Sequence, residues 1–302
     1  MTGVTKACLG DTRIGNAMIS AGVSSLGDSR VANLKRLCAI SGDIPLVMLR
    51  IPMKSEVDNV VKYADVSLNS DLSTLQAISD QAVRSGKDHG VIIMVETGDM
   101  REGIAAADVP LFIQRISRLK RIRFKGIGTN VACVNRHSDI LRQIRQLALI
   151  AGSLSLGPEA KGFTVSGGNS SVLRYVFNGD LPEAINQLRI GESILLGVDT
   201  LTKEPIEGLY QEAFLIETEI IETAKKGDKK QAIAAVGTQD IDPEELSSTF
   251  PETSIREATS DHLMLDVSGD ADVRVGQRIV FRPGYKSLVR AMTSSLVEKD
   301  YR

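Results

Sequence analysis

Apolar and polar positions follow two different spacings along the first two-thirds of the chain. Short apolar runs rich in β-branched residues predict strands at residues 3–8, 23–27, 45–51, 65–68, 90–95, 124–129, 162–166 and 187–196. Between these runs, apolar residues recur every three or four positions, as at Ile140, Ile144, Leu147 and Ala151, which predicts helices with one buried face. Eight predicted strands, each followed by a helix or a crossover, indicate a (β/α)8 TIM-type barrel.

An open, doubly wound parallel sheet is the alternative for the same alternation of elements. Two features favour the barrel. No GxGxxG sequence follows the first predicted strand, as a dinucleotide-binding sheet would require. Polar, glycine-rich segments also follow many different strands, which is where barrel enzymes build their sites.

The pattern changes after residue 197. Residues 203–205, Lys-Glu-Pro, have the composition of a linker, and strand-like runs follow at residues 213–221, 231–237, 262–267 and 278–281. We therefore predict a barrel domain at residues 1–204 and a smaller, mainly β C-terminal domain at residues 205–302.

Composition narrows the classes of function. The chain has 302 residues, 42% of them hydrophobic, and a formal net charge of −2, which argues for a full core and against binding to nucleic acid or a membrane surface. Its apolar runs are too short to span a bilayer. The 3 cysteines form no CxxC pair and the 3 histidines show no HExxH spacing, so we expect a reducing, cytoplasmic location and no metal site.

The candidate chemistry begins with Lys6, at the end of the first predicted strand. A single lysine there is ordinarily a solvated surface charge. The segment Ser-Gly-Gly-Asn-Ser-Ser at residues 166–171 is equally compatible with a helix cap and with a phosphate-binding nest of backbone N–H groups. Arg189 and Gly191 follow on the last predicted strand. An amine, an anion cradle and an arginine at one barrel rim together predict a pyridoxal phosphate enzyme that binds its cofactor through Lys6.

Two further polar residues follow central strands. Arg101 is a candidate to bind a substrate carboxylate or the phenolic oxygen of the cofactor, and its alternative is a surface ion pair with Glu102 or Asp99. Asn130 ends the sixth predicted strand and is a candidate to hydrogen-bond the cofactor ring, although asparagine is also an ordinary turn residue.

These motifs resemble those of the fold-type III pyridoxal phosphate enzymes of the alanine racemase family, and in particular its ornithine racemase-like branch. The resemblance rests on Val-Thr-Lys-Ala at residues 4–7, Glu-Thr-Gly at 96–98 with Arg101 after it, Asn-Ser at 169–170, and Arg-Ile-Gly at 189–191. It implies a barrel plus a β domain, a head-to-tail homodimer with shared active sites, and racemisation of an amino acid. The cofactor contacts that it implies are Lys6, Arg101, Asn130, Asn169, Ser170, Arg189, Gly191, Glu192 and Tyr301.

The sequence departs from the family where the second catalytic base is expected. The family carries a tyrosine after Val-Gly, whereas this chain has Thr238, followed by Gln239 and Asp240. Inversion at Cα needs an acid/base group on each face, so we name Lys6 for one face and Asp240 or His262, with Tyr301 as a further substitute, for the other. The family's substrate-contacting segment resembles residues 259–262, which makes Ser260 and Asp261 candidate substrate contacts.

Two other departures concern the substrate. Met94 replaces a lysine found in many alanine racemases, and no tyrosine follows Lys6 closely, which argues against alanine. Carboxylates at Glu102, Glu192 and Asp240 would suit a cationic side chain, or are ordinary surface charges. We therefore predict a racemase that interconverts L- and D-ornithine or a similar basic amino acid.

The alternatives are a pyridoxal phosphate-binding homeostasis or carrier protein and a fold-type III aldolase or decarboxylase. Relatives of the carrier type consist of the barrel alone, whereas this chain continues from residue 207 to residue 302. That additional region argues against a carrier protein. Family members also have a strand and a helix before the lysine strand, whereas Lys6 is nearly terminal here. We expect the barrel to lack that pair of elements.

Overall fold

An 8-stranded parallel sheet forms the first structural unit of the computed structural model. The structure describes residues 1–135, 139–154, 162–226, 229–269 and 271–302. The sheet runs in the order β7-β6-β5-β4-β3-β2-β1-β8. Its strands are β1 (Thr2–Val4), β2 (Ser25–Asp28), β3 (Leu46–Met48), β4 (Val66–Asn69), β5 (His89–Met94), β6 (Ile122–Gly128), β7 (Thr164–Ser166) and β8 (Arg189–Ile190).

The sheet closes on itself between its first and last members in this order. Ser166 of β7 forms a parallel bridge to Gln187, just before β8, and the Gly167 N–H donates to the Gln187 carbonyl at 2.9 Å. On its other side β8 pairs with β1, with Thr2 opposite Arg189. The predicted barrel is therefore confirmed.

Helices pack outside this sheet. They are α1 (Thr12–Ser20), α2 (Val31–Leu37), α3 (Val57–Tyr63), α4 (Leu72–Ser85), α5 (Val109–Ile116), α6 (Ile140–Ser153) and α7 (Leu173–Phe177). The longest begin at aspartate caps, because Asp71 and Asp139 accept the backbone N–H groups of Thr74 and Arg142. Such a cap stabilises a helix by about 1 kcal/mol. The predicted apolar spacing places Ile140, Ile144 and Leu147 in the core.

Two strand predictions in this region are corrected. The first strand ends at Val4, and Lys6–Cys8 form a 3-10 turn instead of continuing to residue 8. In the predicted strand 187–196, only Arg189–Ile190 form a strand, Gln187 makes the isolated bridge to Ser166, and Glu192–Leu196 form helix α8. A short apolar run has no periodicity that distinguishes a buried strand from a buried helical turn.

The second unit contains a 6-stranded antiparallel sheet in the order β11-β14-β9-β10-β13-β12. Its core includes Ile220, Leu265 and Phe281. The elements are β9 (Ile216–Lys226), β10 (Lys229–Ala234), β11 (Leu246–Ser248), β12 (Thr253–Ala258), β13 (Leu263–Val267), β14 (Arg278–Pro283) and helix α9 (Tyr285–Thr293). The mainly β character predicted for this region is confirmed.

The two compact units are not continuous in sequence. The first contains residues 1–6, 10–191 and 199–203, and the second contains residues 7–9, 192–198 and 204–302. The domain boundary at residue 204 stays a prediction. Among the described residues, the structure contains no helix with both the length and the apolar character needed to cross a membrane.

Candidate active site

The carboxyl ends of β1, β7 and β8 meet at one rim of the barrel. Gly3 of β1 pairs with Ile190 of β8. One residue further along each strand, a Cβ on Gly191 would lie 3.0 Å from the Cβ of Val4. Lys6 follows Val4 by two residues and is exposed. The amine predicted to bind the cofactor and the predicted glycine of the cradle therefore belong to the same rim.

The backbone before Lys6 is held firmly. The Thr5 N–H donates to the Gly27 carbonyl at 3.0 Å, and the Thr5 hydroxyl donates to Asp28 Oδ2 at 2.8 Å. Asp28 is buried and also accepts the side-chain amide of Asn33 at 3.0 Å. Burial raises the pKa of the Asp28 carboxyl above its ordinary value, although the hydrogen bond from Thr5 opposes the change. Lys6 thus extends from a fixed turn.

The predicted phosphate cradle is a glycine turn followed by a 3-10 turn. Gly168 has a φ of +118°, and a Cβ there would lie 2.7 Å from Val131 Cγ2, so only glycine fits. The Ser170 hydroxyl accepts the Gly191 N–H at 3.2 Å, which joins the β7 and β8 sides of the cradle. The buried Ser171 hydroxyl has no hydrogen-bond partner among the described residues. This turn therefore offers hydroxyl and backbone N–H donors next to glycine residues, which have no side chain to block an anion.

Asn169 has a structural role in the same turn. Its side-chain carbonyl accepts the Ser171 N–H at 2.9 Å, and its Nδ2 donates to the Val131 carbonyl at 2.9 Å. The alternative noted from the sequence, an asparagine cap, is therefore present. Asn169 holds the cradle in shape through these bonds, and a direct contact with the cofactor stays a prediction.

Arg189 lies buried beneath this rim, 6% exposed. Its guanidinium donates to the Ser166 hydroxyl, to the Thr129 carbonyl at 2.7 Å and to Asn130 Oδ1 at 3.3 Å. These three acceptors are neutral. Burial lowers the pKa of Arg189 to about 10, so the side chain stays cationic at neutral pH. A buried cation with neutral partners suits a neutral acceptor such as a pyridine nitrogen.

Arg101 and Asn130 are joined by a carboxylate. Arg101 donates to Glu102 through Nε and, at 2.6 Å, through Nη2. The same carboxylate accepts Asn130 Nδ2 at 3.1 Å. The ion pair considered as the alternative for Arg101 therefore exists, but it also connects Arg101 to the residue beside Arg189.

Cys133 belongs to this rim and was not predicted. Its N–H donates to Asp99 Oδ1 at 2.8 Å, and its Sγ accepts Asn169 Nδ2 at 3.2 Å. The residue is exposed, yet partial burial of the sulfur raises the pKa of the thiol, while the charges of Arg101, Arg189 and Lys6 lower it. The only signal in the sequence was its position three residues after Asn130.

The described donors fit a phosphorylated aldehyde cofactor. Lys6 supplies an exposed amine, the glycine turn and Ser170 supply an anion cradle, and Arg189 supplies a buried cation between neutral acceptors. The glycine at position 191 leaves no side chain between the cradle and β1. Four sequence-predicted residues thus come together within one structural unit.

Other predicted residues belong to the second unit, where two loops lie side by side. The Thr238 N–H donates to the Thr259 carbonyl at 2.8 Å. Ser260 donates to Asp261 Oδ2 at 2.9 Å, and Asp240 Oδ1 accepts the Ser294 hydroxyl at 2.6 Å.

Three more predicted residues belong to this unit. His262 is exposed and follows Asp261. Glu192 begins α8, and Tyr301 is 37% exposed near the last residue. The loop pairing brings Asp240 close in structure to the segment that contains Ser260, Asp261 and His262.

Comparison with known proteins gives concordant sequence matches. The family described as "Alanine racemase, N-terminal domain" matches residues 1–198. Ornithine racemase of Acetoanaerobium sticklandii is 37% identical, over 98% of this chain and 90% of that protein. Lysine racemase of Thermotoga maritima is 34% identical, over 100% of this chain and 90% of that protein.

Solved structures share the fold at low sequence identity. Alanine racemase of Clostridium difficile 630 superposes with a TM-score of 0.72 and 17% identity, over 98% of this chain and 87% of that one. D-threonine aldolase of Filomicrobium marinum superposes with a TM-score of 0.79 and 14% identity, over 96% of this chain and 81% of that one. At this identity the likeness concerns the fold alone, because one fold hosts several chemistries.

Proposed function

The chain belongs to the family of the alanine racemase N-terminal domain, and we propose that it is a pyridoxal phosphate-dependent racemase that interconverts the L and D forms of ornithine or a similar basic amino acid. The enzyme class agrees with the names of both sequence relatives, an ornithine racemase and a lysine racemase, each aligned over nearly the whole chain. The observation that carries the cofactor proposal is the convergence of Lys6, Ser170, Arg189 and Gly191 on one rim.

Each of these residues has a distinct task in the proposal. Lys6 would hold the cofactor covalently before the substrate binds, and its Nζ, once freed by the substrate amine, would move the Cα proton on one face of the substrate. Ser170 and backbone N–H groups of the cradle bind the phosphate. When bound, pyridoxal phosphate supplies an electron sink that makes the Cα proton acidic. Arg189 would donate an N–H to the pyridine nitrogen and, being cationic, would keep that nitrogen unprotonated.

The substrate carboxylate is assigned to Arg101. Glu102 occupies its Nε and Nη2 donors, and Nη1 is the group that we assign to the substrate. For the opposite face we propose Asp240 or His262 as the acid/base group, with Ser260 and Asp261 as substrate contacts. Glu192, Tyr301, Asn130 and Asn169 complete the proposed cofactor environment.

The proposed assembly is a homodimer with shared active sites. The proposal also keeps the division into domains at residue 204 and the reducing, cytoplasmic location predicted from three cysteines that form no CxxC pair in the sequence. These statements rest on the family resemblance and on the sequence.

The central test is cofactor binding through Lys6. We expect the purified protein with pyridoxal phosphate to give the absorbance band of a lysine-bound cofactor, and Lys6→Ala to lose both that band and activity. Lys120→Ala is the control, because Lys120 is an exposed lysine just before β6 at the opposite end of the barrel. Optical rotation should change with L-ornithine or L-lysine while the total amino acid concentration stays constant.

Three results would contradict the proposal. An unchanged band in Lys6→Ala would remove Lys6 as the attachment site. A band without any racemisation would favour the carrier alternative. Consumption of the amino acid would favour an aldolase or decarboxylase.

A further inference from the structure

Glu102 makes more contacts with the site than a surface carboxylate would. Its Oε2 accepts Arg101 Nε, and its Oε1 accepts both Arg101 Nη2 at 2.6 Å and Asn130 Nδ2 at 3.1 Å. Its side chain is 23% exposed. Both oxygens are therefore engaged within the barrel unit, which disfavours the earlier idea that Glu102 receives a cationic substrate amine.

The backbone around Glu102 is fixed to the end of β5. The Glu96 N–H donates to the Ile104 carbonyl and the Ile104 N–H donates to the Met94 carbonyl, each at 2.9 Å. Gly103 has a φ of +151°, and a Cβ there would lie 2.5 Å from Glu96 N. This close packing holds Glu102 at a defined place on the rim.

Asn130 links Glu102 to the cofactor side of the site. Its Nδ2 donates to Glu102, and its Oδ1 accepts Arg189 Nη2 at 3.3 Å. A carboxylate can only accept hydrogen bonds, so Glu102 forces the amide nitrogen of Asn130 toward itself and the amide oxygen toward Arg189. A rotated amide would place N–H groups against the guanidinium of Arg189.

Glu102 also compensates charge. Arg101 and Arg189 are both cations, and the positive charge of Arg101 lowers the pKa of Arg189 whereas the negative charge of Glu102 raises it. Without the carboxylate, Arg101 would lose its connection to Asn130, and the positive charges of Arg101 and Arg189 would lose the negative charge that offsets them.

From these contacts we infer that Glu102 is a positioning residue, which orients Arg101 for the substrate carboxylate and fixes the Asn130 amide against Arg189. This inference rests on the proposed function. Glu102 acts through its neighbours and takes no part in proton transfer at Cα.

The test compares Glu102→Gln and Glu102→Asp with wild type. Glutamine keeps the size of the side chain but places an N–H group against an arginine donor or the Asn130 amide. We expect Glu102→Gln to bind pyridoxal phosphate and to raise KM for the amino acid about tenfold or more, the scale of one charge-assisted hydrogen bond. The pH midpoint of the bound cofactor's absorbance band should shift as well, measured without substrate. Glu102→Asp should restore part of the KM change.

Asp88→Asn is the matched control. Asp88 accepts Arg121 and Arg123, but it lies before β5, at the amino-terminal rim of the same strands. We expect its KM and its absorbance titration to equal those of wild type. An effect equal to that of Glu102→Gln would show a general consequence of losing a carboxylate, and would overturn the inference.

Different results would contradict the proposed function and the inference about Glu102. If wild type forms no lysine-linked band and racemises no amino acid, the proposed function falls and the inference falls with it. If wild type does both and Glu102→Gln keeps the wild-type KM and titration, only the inference is wrong. If Glu102→Gln loses its fold, seen by circular dichroism, Glu102→Ala replaces it, and an unchanged KM and titration in that variant would equally contradict the inference.

Discussion

At the scale of single residues, His89 is a buried titratable group outside the site. It begins β5, is fully buried, and its Nε2 pairs with the Ser67 hydroxyl at 2.8 Å. Burial lowers the pKa of His89 from 6.5 to about 4. Below pH 6.5 the unfolded chain binds a proton at this residue that the folded chain rejects until about pH 4. The stabilisation present above pH 6.5 is therefore lost as the pH falls.

We predict that the free energy of unfolding drops by up to about 3 kcal/mol between pH 6.5 and pH 4 because of His89. His89→Gln should remove this part of the pH dependence, measured by urea denaturation across that range. Ser67→Ala is the control, because it removes the hydrogen bond but keeps the imidazole. It should lower stability at both ends of the range and preserve the slope, and an unchanged slope in His89→Gln would contradict the prediction.

The sequence was most informative for residues whose side-chain chemistry suits only a few functional roles. Lys6 and Arg189 stood out because few residues bind an aldehyde or hold a cation near a ring; Lys6 follows β1, and Arg189 lies on β8, which pairs with β1. The role of Glu102 could not be predicted, since its adjacency to Arg101 suggested only a local ion pair. The link to Asn130, 28 positions away, requires the β5 and β6 ends to be placed together.

At the scale of elements, Gly126 sets the contact between β6 and β7. It pairs with Thr164, has a φ of +158°, and a Cβ there would lie 1.9 Å from the Thr164 carbonyl oxygen. We predict that Gly126→Ala lowers the free energy of unfolding by at least about 2 kcal/mol, because the strands must separate. Urea denaturation measures this loss.

Gly152→Ala is the control, and we expect it to raise the free energy of unfolding where Gly126→Ala lowers it. Gly152 lies in α6, and a Cβ there would meet no atom within 4 Å. Alanine should stabilise this helix by about 0.5–1 kcal/mol. Similar destabilisation by both substitutions would mean that loss of glycine, and not the clash with β7, causes the effect.

The order of the barrel elements was predictable, whereas several elements of the second unit were not. The eight strand runs were found in the right order because several of them, such as β3 and β5, contain short runs of buried apolar residues. Strand β12, Thr253–Ala258, was missed because it is polar and half-exposed, and it pairs through backbone groups with β13. The end of β8 was wrong because the apolar residues 194–196 are as compatible with a strand as with the buried turn of α8 that they form.

At the scale of the whole molecule, the single domain boundary predicted at residue 204 does not coincide with the limits of the two compact units. Residues 7–9 and 192–198 cluster with the second unit although they flank β1 and β8. A boundary drawn from composition can only cut the chain once. It cannot anticipate short segments whose contacts lie outside the unit that contains their neighbours.

The proposed homodimer with shared sites gives a complementation prediction. Lys6→Ala alters one structural unit, and Asp240→Asn alters the other; His262→Gln takes the place of Asp240→Asn if it is the inactivating substitution. If each site combines Lys6 of one subunit with the second acid/base group of the other, a mixed dimer would contain one intact site and one with both substitutions. We expect refolded equal mixtures to recover up to about a quarter of the wild-type rate, since half of random dimers are mixed. Sedimentation measures the assembly. Inactive mixtures of stable dimers would exclude shared sites, and a monomer would exclude the dimer.

The seam between β7 and β8 is closed by hydrogen bonds between the two sides: the Gly167 N–H donates to the Gln187 carbonyl, the Arg189 N–H to the Gly168 carbonyl, and the Gly191 N–H to the Ser170 hydroxyl. The proposed cofactor tail would bind those same strand ends and add its affinity to their closure. Under the proposed function, a shortage of vitamin B6 would therefore lower both the activity and the amount of this enzyme. The cofactor-free protein would be inactive, and its lower stability would expose it to degradation.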